Sequence, residues 1–300
     1  MYTTIQEVIE AAKARSGDKV VALASAHDKD LLVCAAEARE IGLCRFVLIG
    51  DKGKINFFLK EIGQCEQDWD IVDEKDAEKA ASLAVGMVRQ GQAHMPMKGI
   101  LPTAVFMREI LNKERGLLDP GSYVSAVTIA ELPREGRLML VSDQAMSIAP
   151  DYKDKVKITQ NAVKLAHDLG FACPKIAFLA PVESVNPAIQ SCVEAAMLAK
   201  AADRGQFGAC IGEGPLALDV AVSAEAARIK GLKRRYDGPA DILIVPDLNS
   251  GNILDKAMRY LAHLKTGSML LGPRVPVIAT SRSDTPETKL ASIAFALVSV

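Results

Sequence analysis

The sequence has no apolar stretch long enough to cross a membrane. Its longest apolar runs, including 290–300, are far shorter than the roughly 18 residues that a spanning helix needs. The first 19 residues are charged and contain no apolar core, so we expect no secretory signal peptide. Lys and Arg (36) balance Asp and Glu (37), which leaves no charge excess that would attract nucleic acid or an acidic membrane. We therefore expect a cytoplasmic protein without nucleic-acid or membrane partners.

The sequence also contains no close pairs of cysteines. The six cysteines are scattered, and none has the spacing of a metal site or a redox motif. No cluster of aspartates suited to a divalent metal is apparent either. We predict a reduced compartment, no metal and no permanently bound cofactor.

What the sequence does have is an alternation of short apolar segments with helical periodicity. The segments 19–24 and 45–50 predict buried strands, and 28–41 and 77–90 predict helices. This alternation predicts an α/β fold, with mostly parallel sheets flanked by helices. The segments 122–132 and 137–142 further predict an antiparallel hairpin. A chain of 300 residues fits one large or two medium domains, and 116–121 is the candidate crossing between them.

Two polar turns follow predicted strands in the last fifth of the chain. Pro246 ends the apolar segment 241–245, and a polar turn at 247–252 precedes a helix predicted at 253–264. A second polar cluster, 280–284, separates a predicted strand from the last helix. Such turns can converge on one phosphate-bearing ligand, because the free N–H groups of a helix start favour an anion. Ordinary strand-to-helix connections have the same composition.

The segment 212–217 matches G-x-G-x-x-A, the fingerprint of dinucleotide-binding folds. Three features argue against that function. The segment lies deep in the chain, Pro215 removes a backbone donor where a pyrophosphate needs one, and no acidic residue ends a clear strand about twenty positions later. We interpret the segment as a tight turn beside a cleft.

Many short segments, taken together, resemble the phosphate acetyltransferase and phosphate butyryltransferase family over nearly the whole chain. The resemblance is closer to the butyryl branch through 147–150 and 281–284. The segments that carry it are Met97-Lys98-Gly99, Thr103-Ala104 with Arg108, Leu111-Asn112-Lys113-Glu114, Ser142 to Pro150, Gln160-Asn161-Ala162-Val163, Ala199 to Gly205, Gly214 to Asp219, the Pro246–Asn252 turn with Lys256, and Ser281-Arg282-Ser283-Asp284.

The resemblance implies a two-domain α/β fold like that of isocitrate and isopropylmalate dehydrogenases. Residues 1–118 and 270–300 would form the first domain, because the C-terminal tail returns to it, and 119–269 would form the second. The active site would lie in the cleft between the domains. We also expect a homodimer or a higher homo-oligomer.

The resemblance implies reversible transfer of an acyl group between coenzyme A and inorganic phosphate, with acyl-CoA as a substrate. The catalytic residues would be Ser281, Arg282 and Asp284. Cations and neutral donors at Thr103, Arg108, Asn252 and Lys256 would bind the substrates.

The base that accepts the thiol proton is not settled by the resemblance. In the acetyl branch an Asp seven positions after the serine is a proposed base, but here that position is Thr288, with Glu287 beside it. The butyryl branch carries its acid at the position of Asp284. Asp284 or Ser283 would serve equally well as the N-cap of the last helix.

Three functions therefore compete. The first is transfer of butyryl or branched short acyl groups, and the second is the same chemistry with acetyl-CoA. The third is a non-catalytic acyl-CoA-binding module, a use that this fold has when fused to malic enzymes. A fold-level dehydrogenase function is disfavoured, because no aspartate cluster suited to a metal is apparent.

Overall fold

The computed structural model of the protein describes residues 1–16, 18–281 and 283–300. These residues form two compact units, which we name by their place in the sequence. The central unit is Met1–Ile5 with Tyr123–Thr266, and the flanking unit is Gln6–Ser122 with Gly267–Val300. The chain passes between the units after residues 5, 122 and 266.

Helices and strands alternate along most of the chain. A 3₁₀ turn at Glu66–Asp68 and a π-helical turn at Ala257–Leu261 add to the regular elements. In chain order these are α1 (Ile5–Ser16), β1 (Val20–Ala24), α2 (Lys29–Glu40), β2 (Arg45–Gly50), α3 (Lys52–Glu61), β3 (Asp70–Asp73), α4 (Ala77–Arg89), β4 (Met95–Lys98), α5 (Thr103–Ile110), β5 (Ser125–Leu132), β6 (Arg137–Ser142), α6 (Tyr152–Asp168), β7 (Lys175–Leu179), α7 (Gln190–Asp203), β8 (Ile211–Leu216), α8 (Leu218–Val222), α9 (Ala224–Ile229), β9 (Ile242–Ile244), α10 (Leu248–Lys256), β10 (Thr266–Leu271) and α11 (Pro286–Val298).

The flanking unit is built on a parallel sheet with the strand order β3-β2-β1-β4. Ile278 pairs with Met97 beyond β4, where Lys98 N donates to the Ile278 carbonyl at 2.8 Å. The strand that the sequence predicts before the polar cluster 280–284 is therefore present only as isolated bridges at Val277 and Ile278. The chain continues from β1 to β2 on one side of β1, whereas β3 is followed by β4 on the other side of β1. The direction of the connections therefore reverses between β1 and β4.

Aspartates begin the helices of this unit. The side chains of Asp28, Asp51 and Asp76 accept backbone N–H groups in the first turns of α2, α3 and α4, at 3.0, 3.2 and 2.9 Å. Each cap satisfies a donor that the start of a helix leaves without an intrahelical partner, which typically contributes about 1 kcal/mol. The turns that follow β1, β2 and β3 are therefore fixed at the carboxyl end of the sheet.

The central unit contains the predicted hairpin, in which β5 pairs with β6 in antiparallel orientation. The strands β9, β7 and β8 then follow β6 in parallel. The α/β prediction, with parallel sheets and flanking helices, is confirmed by these two sheets.

The interpretation of 212–217 as a turn was wrong, because these residues lie in and just after strand β8. Their glycines are required by packing. A β-carbon at Gly212 would lie 2.9 Å from the Phe178 ring, and one at Gly214 would lie 2.7 Å from the β-carbon of Phe178. Two helices, α8 and α9, follow this segment and meet at Ser223. Close contact with Phe178 explains the glycines without a dinucleotide.

Within the described residues, no helix combines the length and the apolar character that crossing a membrane requires.

Candidate active site

A pocket lies at the carboxyl ends of β1 and β4, where the connections of the flanking sheet reverse direction. It encloses about 390 Å³, including open space at its mouth. The segment after β1 and the first turn of α2 form one wall, residues 98–100 form the next, and Thr280, Ser281 and Lys289 complete the lining. In open α/β sheets, ligands bind outside the carboxyl ends of the strands at such a reversal.

Gly99 lets the two strand ends approach closely at this pocket. The N–H groups of Gly99 and Ile100 donate to the carbonyl oxygens of Ala24 and Ser25, at 2.8 and 2.9 Å. A β-carbon at position 99 would lie 2.3 Å from the Ser25 oxygen, so no residue with a side chain fits there without a shift of the backbone. The Gly99 contact therefore fixes the position of Lys98 in the lining.

Two buried lysines supply positive charge to the lining. Lys98 is 5% exposed, and its ammonium donates to the carbonyl oxygens of Gly99 and Leu101 at 3.2 and 3.3 Å. Lys289 is 3% exposed and donates to the carbonyl of Asp284. Lysine is rarely buried so deeply. The lining of the pocket therefore includes two buried ammonium groups.

Neither lysine was among the site residues predicted from the sequence. Each had a local signal, however. Lys98 ends a short buried strand, and Lys289 lies in a helix whose neighbouring residues 290–298 are all buried. A charged residue within an otherwise apolar element indicates a specific partner or a ligand.

Ser281 lines the pocket and is hydrogen-bonded to its own loop. Its N–H donates to Oδ2 of Asp284 at 2.8 Å, and its hydroxyl lies 3.0 Å from that of Ser283. The structure thus brings two of the predicted catalytic residues, Ser281 and Asp284, together. Arg282, the third, lies outside the described residues.

The sequence-based proposal that Ser283 or Asp284 caps the last helix was wrong. Thr285 is the N-cap of α11, and its hydroxyl accepts the N–H of Thr288 at 3.3 Å. The reason is Pro286, because proline favours the first position of a helix. The N-cap is then the residue directly before the proline, Thr285. The Asp284 carboxylate is instead directed to the backbone of Ser281.

Glu287, the alternative base, lies in the first turn of α11. Hydrogen bonds from its own backbone N–H and from the side chain of Thr285 lower the pKa of the Glu287 carboxyl. A lower pKa makes a carboxylate a weaker base. These contacts argue against Glu287 as a general base.

The predicted substrate-binding residues of the flanking unit lie outside this lining. Thr103 begins α5 and is exposed. Arg108 forms a salt bridge with Glu78 at 2.9 Å, in which both side chains are more than 60% exposed.

Asn252 and Lys256 belong to α10 in the central unit. This helix begins at Leu248, five residues earlier than predicted, because Asp247 and Ser250 form a capping box. Asn252 therefore lies on an exposed face of the helix rather than in a turn. The Lys256 ammonium lies 3.5 Å from Oδ2 of Asp255.

The segment 142–147, which carries part of the family resemblance, has a structural role. The buried carboxylate of Asp143 accepts five hydrogen bonds, four from backbone N–H groups and one from the Ser147 hydroxyl at 2.6 Å. A β-carbon at Gly251 of α10 would lie 2.8 Å from the Asp143 carbonyl oxygen. Asp143 thus holds the loop against which the start of α10 packs.

A buried ion pair lies at the carboxyl ends of β7 and β9, where the connections of the central sheet also reverse direction. Lys155 and Glu194 form a salt bridge there, and Gln190 donates to Oε1 of Glu194 at 2.9 Å. Both charged side chains are almost fully buried. No group of three or more His, Cys, Asp or Glu side chains in the described part of the chain is placed to hold a metal ion.

The chain is similar to proteins of known activity over nearly its whole length. Residues 71–297 match the family described as "Phosphate acetyl/butaryl transferase". The chain is 40% identical to a phosphate butyryltransferase of Clostridium acetobutylicum over 99% of this chain and 98% of that one. It is 37% identical to a phosphate acetyltransferase of Thermotoga maritima over 98% and 99%. A branched-chain phosphotransacylase structure from Enterococcus faecalis V583 superposes with a TM-score of 0.85 at 33% identity, covering 94% of this chain and 98% of that one.

Proposed function

Because this chain belongs to the phosphate acetyltransferase and phosphate butyryltransferase family, we propose that it transfers a short acyl group, butyryl or branched, between coenzyme A and inorganic phosphate. The observation that carries the proposal is the pocket at the carboxyl ends of β1 and β4, whose lining contains Ser281 and two buried lysines. Such a pocket suits a phosphate dianion, because charge-assisted hydrogen bonds are roughly twice as strong as neutral ones.

In the proposed reaction, an oxygen of phosphate attacks the carbonyl carbon of the acyl thioester. The new C–O bond forms, the C–S bond breaks, and the thiolate of coenzyme A leaves and takes up a proton. The Ser281 hydroxyl donates to the negative charge that develops on the carbonyl oxygen, and one such donor is typically worth about 10²–10³ in rate. In the reverse direction Asp284 accepts the thiol proton, since a free thiol titrates near ~8.5 and a positioned base contributes roughly 10²–10⁴.

The remaining assignments also belong to this proposal. Arg282 binds phosphate, and Thr103, Arg108, Asn252 and Lys256 bind parts of the two substrates, so that the site draws on both units across a cleft, as in isopropylmalate dehydrogenases. The enzyme works in the cytoplasm, as a homodimer or a higher homo-oligomer, without a metal or a permanently bound cofactor. The family resemblance supports these points.

The acyl preference is proposed to be for four or five carbons. Both butyryl and acetyl enzymes are similar to this chain, at 40% and 37% identity, so the overall identity favours neither strongly. Two additional buried methylenes, at about 0.8 kcal/mol each, would give roughly a ten- to twentyfold preference for butyryl-CoA in kcat/KM.

The test is the release of free thiol from acetyl-, butyryl-, isobutyryl- and isovaleryl-CoA, each with and without phosphate. We expect release to require phosphate, to be unaffected by a chelator, and to be fastest for a four- or five-carbon acyl group. A maximum at acetyl-CoA would assign the acetyl activity instead. Tight acyl-CoA binding without phosphate-dependent release would refute the catalytic function and leave a binding module.

A further inference from the structure

We propose that Lys98 is a catalytic residue that binds the reacting phosphate directly. The inference rests on the proposed function for the identity of the anion, but binding of phosphate can be measured without acyl-CoA. Neither the family resemblance nor the sequence pattern assigned a role to this side chain.

The place of Lys98 in the fold is the first argument. It is the last residue of β4, and its backbone N–H donates to the carbonyl oxygen of Ile278. Ile278 in turn lies two residues before Thr280 and Ser281, which line the pocket. The same bridge therefore fixes Lys98 and the approach to Ser281 relative to each other. A cation at the end of this strand lies where open α/β sheets bind their ligands.

The way in which the ammonium is held is the second argument. The carbonyl oxygens of Gly99 and Leu101 accept from it, and the backbone that bears them is fixed by the bonds of Gly99 and Ile100 to the end of β1. A lysine side chain has four flexible bonds and loses much rotamer freedom when it is ordered. Here the fold already imposes that ordering, so a ligand meets a preorganised cation.

The other charged groups of the lining are arranged by depth. Lys289 is buried with Lys98, but its ammonium is bound to the Asp284 carbonyl, so it orients the Ser281–Asp284 loop. Asp28 is half-buried, and its carboxylate accepts the Leu31 N–H of its own helix at 3.0 Å. Asp30 is exposed. Lys98 ends a strand of the sheet, whereas Lys289 lies in the helix that follows the Ser281–Asp284 loop, so Lys98 is the cation that we assign to the ligand.

The alternative is that Lys98 only braces the turn that follows β4. Lys98→Gln separates the two roles, because glutamine keeps N–H donors for the carbonyl oxygens and loses the charge. Lys98→Arg keeps the charge, and Lys98→Met removes both the charge and the donors. Lys60→Met, which removes an exposed charge from α3 of the same unit, is the matched control.

The experiment measures KM for phosphate, KM for butyryl-CoA, and phosphate binding by calorimetry without acyl-CoA. We expect Lys98→Gln and Lys98→Met to raise KM and the dissociation constant for phosphate at least tenfold, while KM for butyryl-CoA changes less than threefold. Lys98→Arg should recover most of the phosphate affinity, and Lys60→Met should match the wild type. Should one neutral variant not fold, as judged by circular dichroism, the other provides the comparison.

Two results would overturn the inference. One is phosphate binding within threefold of wild type in a folded neutral variant. The other is a parallel rise of both KM values with a lower melting temperature, which marks a structural brace. Phosphate binding by the wild type that depends on Lys98, without any acyl transfer, would instead refute the proposed function and leave this inference standing.

Discussion

The two sheets of this protein each place buried lysines where the direction of their connections reverses, but they treat the charge differently. In the flanking unit, backbone carbonyl oxygens of the adjoining turn hold Lys98 at an open pocket. In the central unit, the carboxylate of Glu194 neutralises Lys155, and the side-chain amide of Gln190 donates a hydrogen bond to the same carboxylate. Lys98 thus lines a pocket, whereas Lys155 is paired with a carboxylate.

The comparison shows that burial of a lysine does not by itself indicate a binding site. Lys98 and Lys155 differ in the groups that surround the ammonium. The cost of burying the charge of Lys155 is compensated only while its carboxylate partner remains. The predictions below use this distinction.

The largest expected effect comes from breaking the Lys155–Glu194 pair. Glu194→Gln leaves the Lys155 ammonium buried without its compensating charge, so we expect the free energy of unfolding to fall by about 3–5 kcal/mol. Urea denaturation followed by circular dichroism measures it. The double variant Lys155→Met/Glu194→Leu should regain most of the loss, because an apolar pair of similar volume needs no compensation. A double variant as unstable as the single one would contradict this account.

The next effect concerns the loop beneath α10. Asp143→Asn replaces an acceptor-only carboxylate with an amide whose NH₂ group must face N–H donors, so we expect a loss of about 2–3 kcal/mol in the free energy of unfolding. Ser147→Ala removes one of the five donors and should cost about 1 kcal/mol. Equal losses from both variants would mean that the backbone N–H groups contribute little.

A smaller effect tests which carboxylate acts beside Ser281. Asp284→Asn should lower kcat/KM for acyl phosphate with coenzyme A by about tenfold or more, since a positioned base is lost. Glu287→Gln, the matched change three residues away, should stay within threefold of the wild type. The reverse ranking would transfer the role to Glu287.

The smallest effect is a pH dependence that belongs to the flanking unit. Burial, with a contribution from Lys54, lowers the pKa of His27 below its ordinary value, although Asp51 and Asp28 oppose the shift. The unfolded chain therefore takes up a proton more readily than the folded one as the pH falls below ~6.5, and the free energy of unfolding decreases in that range.

The variant His27→Gln should flatten this decrease and leave the free energy of unfolding near pH 8 within about 1 kcal/mol of the wild type. Denaturant curves between pH 5 and 8 measure it. An unchanged slope in the variant would assign the dependence to other groups.

Local patterns predicted most of the fold, because its elements depend on local periodicity. The α/β alternation and the β5–β6 hairpin follow from apolar runs and the turn between them. The assignments that failed depend on partners distant in sequence. The glycines of 212–217 are explained by Phe178, which lies more than thirty residues earlier in the chain.

The candidate site shows the same division. Ser281 and Asp284 lie in one short loop, so their proximity could be predicted. Lys98 lines the same pocket only because Ile278 pairs with the edge of β4, and no local sequence pattern predicts that bridge. Lys289 was missed because a lysine in the first turns of a helix is ordinarily exposed.

The bridge between Met97 and Ile278 has a consequence for how the protein folds during synthesis. The partner of β4 is made about 180 residues after it. At the usual 5–20 residues per second, the edge of β4 waits roughly 10–40 s on the ribosome while the central unit is completed. During that interval an unpaired strand edge can pair with other chains. Nascent chains stalled before residue 267 should therefore depend on chaperones more than chains released at full length.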